Sequence, residues 1–326
     1  MFIPYSDPSV RLTGRFFPEK QAAVTTACGS AVELAFSGRS ALLHFDISDL
    51  VSAFPHVYLQ IDGGSLIESA LSARLAIRTA DAGPHILRII FKSAVEYQNR
   101  WQFPLQAKLA FEGFEADAPA ALPPDRRRTI SFIGDSITEG ILIFPEQTPA
   151  GDKRLDRVYM DDVTKTYAWL TAEHFGLRPT FFAYGAVGMT KGGNGGVPKA
   201  IEAYPFYVDG VPFPGEDPDL ILLNLGANDR KKEAEFFIPA YREFLEMIAQ
   251  RCPGSEIVVL SPFCGAHTGP LKEAVEAFSE EHARPVGFID STGWVPPEPL
   301  HPGEEGHAVI AKHLEAALPA VCSFLL

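Results

Sequence analysis

The sequence predicts an α/β protein in two parts. A jelly-roll-like β-sandwich spans residues 1–118, a linker spans 119–128, and a three-layer α/β/α domain around a parallel sheet spans 129–326. Three observations predict this. Before residue 120 the chain runs in short alternating or β-branched segments broken by turn signals, with no long helical period. Around residue 120 alanine and proline take over, as in a semi-rigid spacer. After it, apolar strands alternate with helical patterns, the signature of a parallel sheet covered on both faces. A length of 326 residues suits two domains.

In the first part, strands are expected at 31–36, 41–47, 56–61, 74–78, 85–91 and 105–111. Ser37-Gly38, Asp62-Gly63-Gly64 and Asp81-Ala82-Gly83-Pro84 supply turns between them. The junction, Ala116 to Asp125, holds four alanines and three prolines. Arg126-Arg127-Arg128 then reads as a solvated lead-in to a strand rather than a binding patch.

In the second part, strands are expected at 129–133, 180–183, 220–225, 256–260 and 286–290. Helices are expected at 166–175, 235–250, 271–282 and 304–318, with Pro239 in the first turn of its helix. Two long loops interrupt the alternation, at 141–165 and 189–218. Loops of this length inside a compact domain usually carry function, and both leave strand ends where they can wall a pocket. There is no internal repeat.

Hydrophobic residues make up 46% and charged residues 21%, the balance of an ordinary globular protein, and the formal net charge is -13. An acidic surface argues against nucleic acid and against anionic lipid as partners, and favours a neutral substrate. Cys28, Cys252, Cys264 and Cys322 lie far apart without C-x-x-C spacing, so they read as reduced, mostly buried thiols. No signal peptide is recognisable in MFIPYSDPSV, and no apolar run reaches the ~18 residues of a membrane span. The expected location is the cytoplasm, or outside the cell if a leader has been removed. The sequence carries no signal of oligomeric state.

The chemistry collects at strand ends. The first parallel strand runs into Gly134-Asp135-Ser136, which projects a serine from the carboxyl edge of the sheet. In open α/β sheets that edge is where ligands bind. A serine hydroxyl is a weak nucleophile and needs a base within hydrogen-bond reach. His301 is the candidate: it lies between the last strand and the last helix, in Glu298-Pro299-Leu300-His301-Pro302, where flanking prolines stiffen the loop. Glu298 lies three residues before it and is the candidate acid, orienting the imidazole as in Ser-His-acid triads. Asp290 and a backbone carbonyl are the alternatives, the last leaving a Ser-His dyad. Asn228, in Gly226-Ala227-Asn228-Asp229 after the strand at 220–225, can donate its amide to a developing oxyanion. Gly188, in Ala183-Tyr184-Gly185-Ala186-Val187-Gly188, can bring a backbone N–H close to a substrate oxygen.

These four residues, in the order Ser, Gly, Asn, His, resemble the four blocks of the SGNH/GDSL hydrolase family over roughly the last two hundred residues. The resemblance implies that Ser136 is the nucleophile and His301 the base. It also implies that the Ser136 N–H, the Gly188 N–H and the Asn228 amide form the oxyanion hole. The chain departs from the family pattern where Ala183 replaces the usual asparagine and Glu298 the usual aspartate. No G-x-S-x-G elbow and no H-E-x-x-H occurs. His301 and His307 span a proline and a helix start, so no metal and no cofactor is expected.

A sandwich ahead of such a domain resembles carbohydrate esterase family two. The stretches Val57-Tyr58-Leu59-Gln60-Ile61-Asp62-Gly63, Ala82-Gly83-Pro84-His85-Ile86-Leu87-Arg88 and Phe91-Lys92-Ser93-Ala94-Val95-Glu96 carry that likeness. It implies an esterase that removes O-acetyl or other short acyl groups from a small-molecule or oligosaccharide substrate. Asp135, beside the serine, and Trp294, as a stacking surface for a sugar ring, are the candidate substrate-binding residues. The alternative for Trp294 is a packing role. The alternatives for function are a lysophospholipase or thioesterase with a long acyl groove, and an inactive carbohydrate-binding protein.

Overall fold

A computed structural model describes residues 1–325. Twelve short strands come first: β1 (Phe2–Pro4), β2 (Val10–Thr13), β3 (Phe17–Glu19), β4 (Ala22–Thr25), β5 (Ala31–Ser37) and β6 (Ser40–Phe45), then β7 (His56–Ile61), β8 (Ile67–Ala70), β9 (Arg74–Arg78), β10 (Pro84–Ser93), β11 (Leu109–Glu115) and β12 (Ala118–Pro119). They form two antiparallel sheets. One runs β3-β4-β11-β6-β9 with β1 on β11; the other runs β12-β5-β10-β7-β8 with β2 on β5. The alternation in β5 and β10 explains their pairing. Val32, Leu34 and Phe36 lie opposite Ile89, Leu87 and His85, and each pair faces the interior.

The second part contains β13 (Thr129–Gly134), α1 (Ser136–Glu139), α2 (Arg157–Met160), α3 (Tyr167–His174), β14 (Arg178–Ala183), α4 (Ala200–Ala203), a small β15 (Phe206–Val208) and β16 (Val211–Pro212) ribbon, and β17 (Leu220–Asn224). Then come α5 (Ala234–Arg251), β18 (Glu256–Leu260), α6 (Thr268–Glu281), β19 (Val286–Ile289) and α7 (Glu304–Ala317). The parallel sheet has the order β14-β13-β17-β18-β19. The chain steps from β13 to one side and returns on the other, so the switch of direction lies between β13 and β17. A crevice opens there above the strand ends.

The two parts pack as one body. A single buried cluster runs from Val32 and Phe91 of the sandwich to Phe132, Trp169 and Phe181 of the α/β part. Gly29 has φ +87°, and a Cβ there would stand 2.3 Å from the Phe181 ring. Polar ties add direction: Lys92 Nζ donates to Val158 O at 2.7 Å, Tyr58 OH to Asp162 Oδ2 at 2.6 Å, and Arg15 Nη1 to Tyr204 O at 3.0 Å.

The structure departs from the sequence expectations in several places, among them α2, α4 and the β15–β16 ribbon inside the two expected loops. The strand expected at 105–111 lies four residues later, because the chain from Ala94 to Lys108 folds across the α/β part instead of joining a sheet. Strands β1 to β4 and β8 were not expected, being three or four residues long and too short for a two-residue period to register. Residues 118 and 119, at the expected junction, form β12 against β5. Pro239 is the sixth residue of α5, past its first turn. The Glu235 carbonyl that loses its helical donor there lies on an exposed face open to water.

Candidate active site

β13 ends at the switch point. A Cβ on Gly134 would stand 2.0 Å from Thr138 Oγ1, so only glycine lets the chain turn this tightly into α1. Asp135 caps the turn, its Oδ1 accepting from the Ile137 N–H at 3.0 Å. Ser136 is the next residue and is 5% exposed. Gly140 closes α1 at φ +89°, and a hydrogen bond of 2.7 Å between Thr138 Oγ1 and Tyr167 OH ties it to α3.

The loop from β19 to α7 brings His301 over this turn, with Nε2 2.9 Å from Ser136 Oγ. With the proton on Nδ1, the serine hydroxyl donates and the ring accepts, the arrangement a general base needs. Burial pushes the His301 pKa below its ordinary value. The nearby negative charge of Glu96 opposes that, while Arg157 and Arg230 reinforce it. His307 lies in α7 and accepts from the Tyr167 N–H at 3.1 Å through Nδ1; burial lowers its pKa to about 3, so it stays neutral.

Asn228 follows β17 and bridges the site: its Nδ2 donates to Val187 O at 2.9 Å and to Asp135 Oδ2 at 3.2 Å. The Gly188 N–H donates to Lys191 O at 3.1 Å. The Ser136 N–H has no protein acceptor among the described residues. The Asn228 amide and the Gly188 N–H, both in loops that follow strands of the parallel sheet, are thus engaged by protein acceptors.

Several expectations require correction. Glu298 is exposed and makes no hydrogen bond or ion pair with His301, because its side chain leaves the loop toward solvent. Asp290 accepts from the Thr292 N–H at 2.9 Å and serves as a turn residue. Among the described residues, the His301 ring has no hydrogen bond except that to Ser136. Asp135 is 1% exposed and occupied by Ile137 and Asn228, so it supports the site from beneath rather than facing a substrate. Burial lifts its pKa to about 7. Trp294 stacks on His313 of α7 at 4.9 Å and 15°, which is the packing alternative.

Sequence reading missed three groups. Asp229 accepts from the Met189 N–H (2.8 Å), the Thr190 N–H (3.0 Å) and Thr190 Oγ1 (2.6 Å), and so sets the loop bearing Gly188. A Cβ on Gly188 would lie 2.6 Å from Asp229 Oδ2, so this glycine is required by close approach. Arg100 of the sandwich is paired with Glu139 of α1, with both side chains buried. Glu96 of the sandwich lies 2.8 Å from Arg157 of α2. The signal for Asp229 was its place beside Asn228, and that for Glu96 its place at the end of the stretch Phe91 to Glu96; nothing local marks Arg100 or Arg157.

The family model described as the GDSL-like Lipase/Acylhydrolase family matches residues 132–309. No curated protein matches the chain. Among solved structures, a family two carbohydrate esterase from Cellvibrio japonicus superposes with a TM-score of 0.80 at 19% identity, covering 100% of this chain and 99% of that one. The acetyl xylan esterase Est2A from the rumen bacterium Butyrivibrio proteoclasticus gives 0.79 at 18% identity, covering 98% of each chain. A salicylyl-acyltransferase of a tetracycline biosynthetic pathway gives 0.67 at 15% identity, covering 100% and 98%. The likeness extends through both the sandwich and the parallel sheet, and it shows the fold.

Proposed function

The chain belongs to the GDSL-like lipase/acylhydrolase family and is a carboxylic ester hydrolase, and on that premise we propose that it removes acetyl or other short acyl groups from a carbohydrate through Ser136 and His301. The observation that carries this reading is the 2.9 Å contact between His301 Nε2 and Ser136 Oγ at the switch point of the sheet. In the proposed reaction Ser136 Oγ attacks the acyl carbonyl while its proton passes to His301 Nε2. The carbonyl electron pair moves to oxygen, where the Ser136 N–H, the Asn228 amide and the Gly188 N–H receive the charge. His301 then returns the proton to the departing sugar oxygen. A water molecule, deprotonated by the same ring, releases the acid and restores Ser136.

Two things support carbohydrate as the alcohol. The fold matches structures named as carbohydrate and acetyl xylan esterases along the whole chain. The net charge of -13 suits a neutral polyol ester better than an anionic one. Fold likeness alone does not fix a substrate, so the reading is tested directly. Ser136→Ala is expected to abolish hydrolysis of 4-nitrophenyl acetate and of acetylated sugars; retained turnover sinks the assignment. In the wild type, rates rising from acetyl to octanoyl esters would replace the carbohydrate reading with a lipid one.

A further inference from the structure

The turn that carries Asn228 takes its form from its own backbone. The Asp229 N–H donates to Gly226 O at 3.0 Å, and the Lys232 N–H donates to Asp229 O at 2.8 Å. Bonds within a turn shape it, but they do not fix where it stands above the sheet. Contacts with other elements do that. Gly226, at φ +128°, packs against α5 and the loop after β18: a Cβ there would stand 2.9 Å from both Phe237 Cζ and Pro262 Cγ. The Asp229 carboxylate ties the turn to the Gly188 loop.

A third tie comes from His267, the residue before α6. Its side chain caps none of that helix's own N–H groups. Instead Nε2 lies 3.1 Å from Asp229 O. A carbonyl oxygen only accepts, so Nε2 carries the proton and donates. The ring stacks on Phe237 at 4.4 Å and 19°, the same ring that receives Gly226. His267 also has φ +58°. A residue with a side chain stays in that left-handed region only where its surroundings hold it there. Stacking and hydrogen bond together hold the imidazole on the Asn228 turn.

We propose that His267 is a positioning residue for the oxyanion donor Asn228, fixing the turn at residues 227–229 through the hydrogen bond from its Nε2 to the Asp229 carbonyl. The proposal rests on the reading of Ser136 and His301 as nucleophile and base and of Asn228 as a donor to the oxyanion. His267 touches no substrate and exchanges no proton. Its effect falls on the transition state, where the amide must meet the charge forming on the acyl oxygen, and so on kcat rather than KM.

The test uses the full chain with 4-nitrophenyl acetate. His267→Phe keeps a ring on Phe237 and loses the donor. His267→Gln restores an N–H near the place of Nε2. Both are unbranched at Cβ and bear the same backbone strain, so their difference reports the hydrogen bond. His267→Phe is expected to lower kcat roughly tenfold with KM little changed, and His267→Gln to recover most of it. In an Asn228→Ala background His267→Phe is expected to cost nothing further, since the residue it acts through is gone. A merely structural role lowers the melting temperature and leaves kcat unchanged, or gives the same loss with and without Asn228; either result overturns the proposal. Should His267→Phe not fold, His267→Asn takes its place: asparagine suits a left-handed residue, and its amide is one bond too short to reach Asp229 O. Full activity in that variant overturns the proposal equally. Unchanged kcat in Asn228→Ala sinks the oxyanion reading and the proposal with it, whereas a loss there with none in His267→Phe sinks the proposal alone. Turnover surviving in Ser136→Ala sinks the nucleophile reading instead.

Discussion

The buried pair of Arg100 and Glu139 joins the sandwich to the helix that begins with Ser136, and its removal is a sharp test of how the two parts depend on each other. The Arg100 side chain is 0% exposed and that of Glu139 is 2%. Arg100 Nη2 donates to Glu139 Oε2 at 3.2 Å, and its guanidinium lies 5.2 Å from the Tyr184 ring centre. Arg100→Met removes the cation with little loss of bulk and leaves a buried carboxylate without its ion-pair partner. Breaking one side of such a pair costs about 3–5 kcal/mol, against about 1 kcal/mol or less for an exposed pair. Glu139 has an escape, which is to take a proton. Burial already raises its pKa and Arg100 holds it down, so loss of Arg100 raises it further. A carboxyl whose folded pKa lies above its unfolded value costs stability as pH rises through that interval. The destabilisation of Arg100→Met is therefore expected to be larger at pH 8 than at pH 5. Urea unfolding at both pH values measures this, and Arg100→Met with Glu139→Leu is expected to recover most of the loss. A cost of about 1 kcal/mol or less at pH 8, or an equal cost at both pH values, would refute the reasoning.

Two further outcomes follow from the site. Asp229→Ala removes the acceptor of the Met189 N–H, the Thr190 N–H and the Thr190 hydroxyl, so the Gly188 loop loses its anchor; kcat is expected to fall about 10- to 100-fold with KM little changed, and an unchanged kcat would show that the loop is set by other contacts. Buried Asp135 and Asp161 both have pKa values of about 7 against an ordinary 3.8. The folded state therefore keeps protons that the unfolded state releases, and their contribution to stability is full below pH 3.8 and lost as pH rises to about 7. Urea titrations comparing wild type with Asp161→Asn are expected to show a flatter pH dependence in the variant.

The residues that local chemistry specifies were legible in the sequence. Strands 56–61, 74–78 and 256–260 were expected where they occur, since a two-residue period or a continuous apolar run is written in the strand itself. The places of Ser136, Gly188, Asn228 and His301 past strands of the parallel sheet were expected, and a parallel sheet brings all such positions to one edge. The structure sets Ser136 and His301 in hydrogen-bond contact there.

Tertiary structure alone decided what surrounds them. Glu298 is near His301 in sequence, yet its loop turns the carboxylate to solvent, whereas Glu96 is distant in sequence and lies buried against Arg157 and Asn194. For Trp294 the sequence left a sugar platform and a packing role open, and the fold stacks its ring on His313 of α7. Glu96 and Arg100 sit in an irregular segment and Arg157 in a four-residue helix, where no periodicity can place them. Their positions follow from the docking of the sandwich on the parallel sheet, and that depends on side chains such as Phe181 against Gly29 meeting across the whole length of the fold. A chain can encode which residues end its strands through local propensity. Which charges face one another across the packed sandwich and parallel sheet is set by the sum of many long-range contacts.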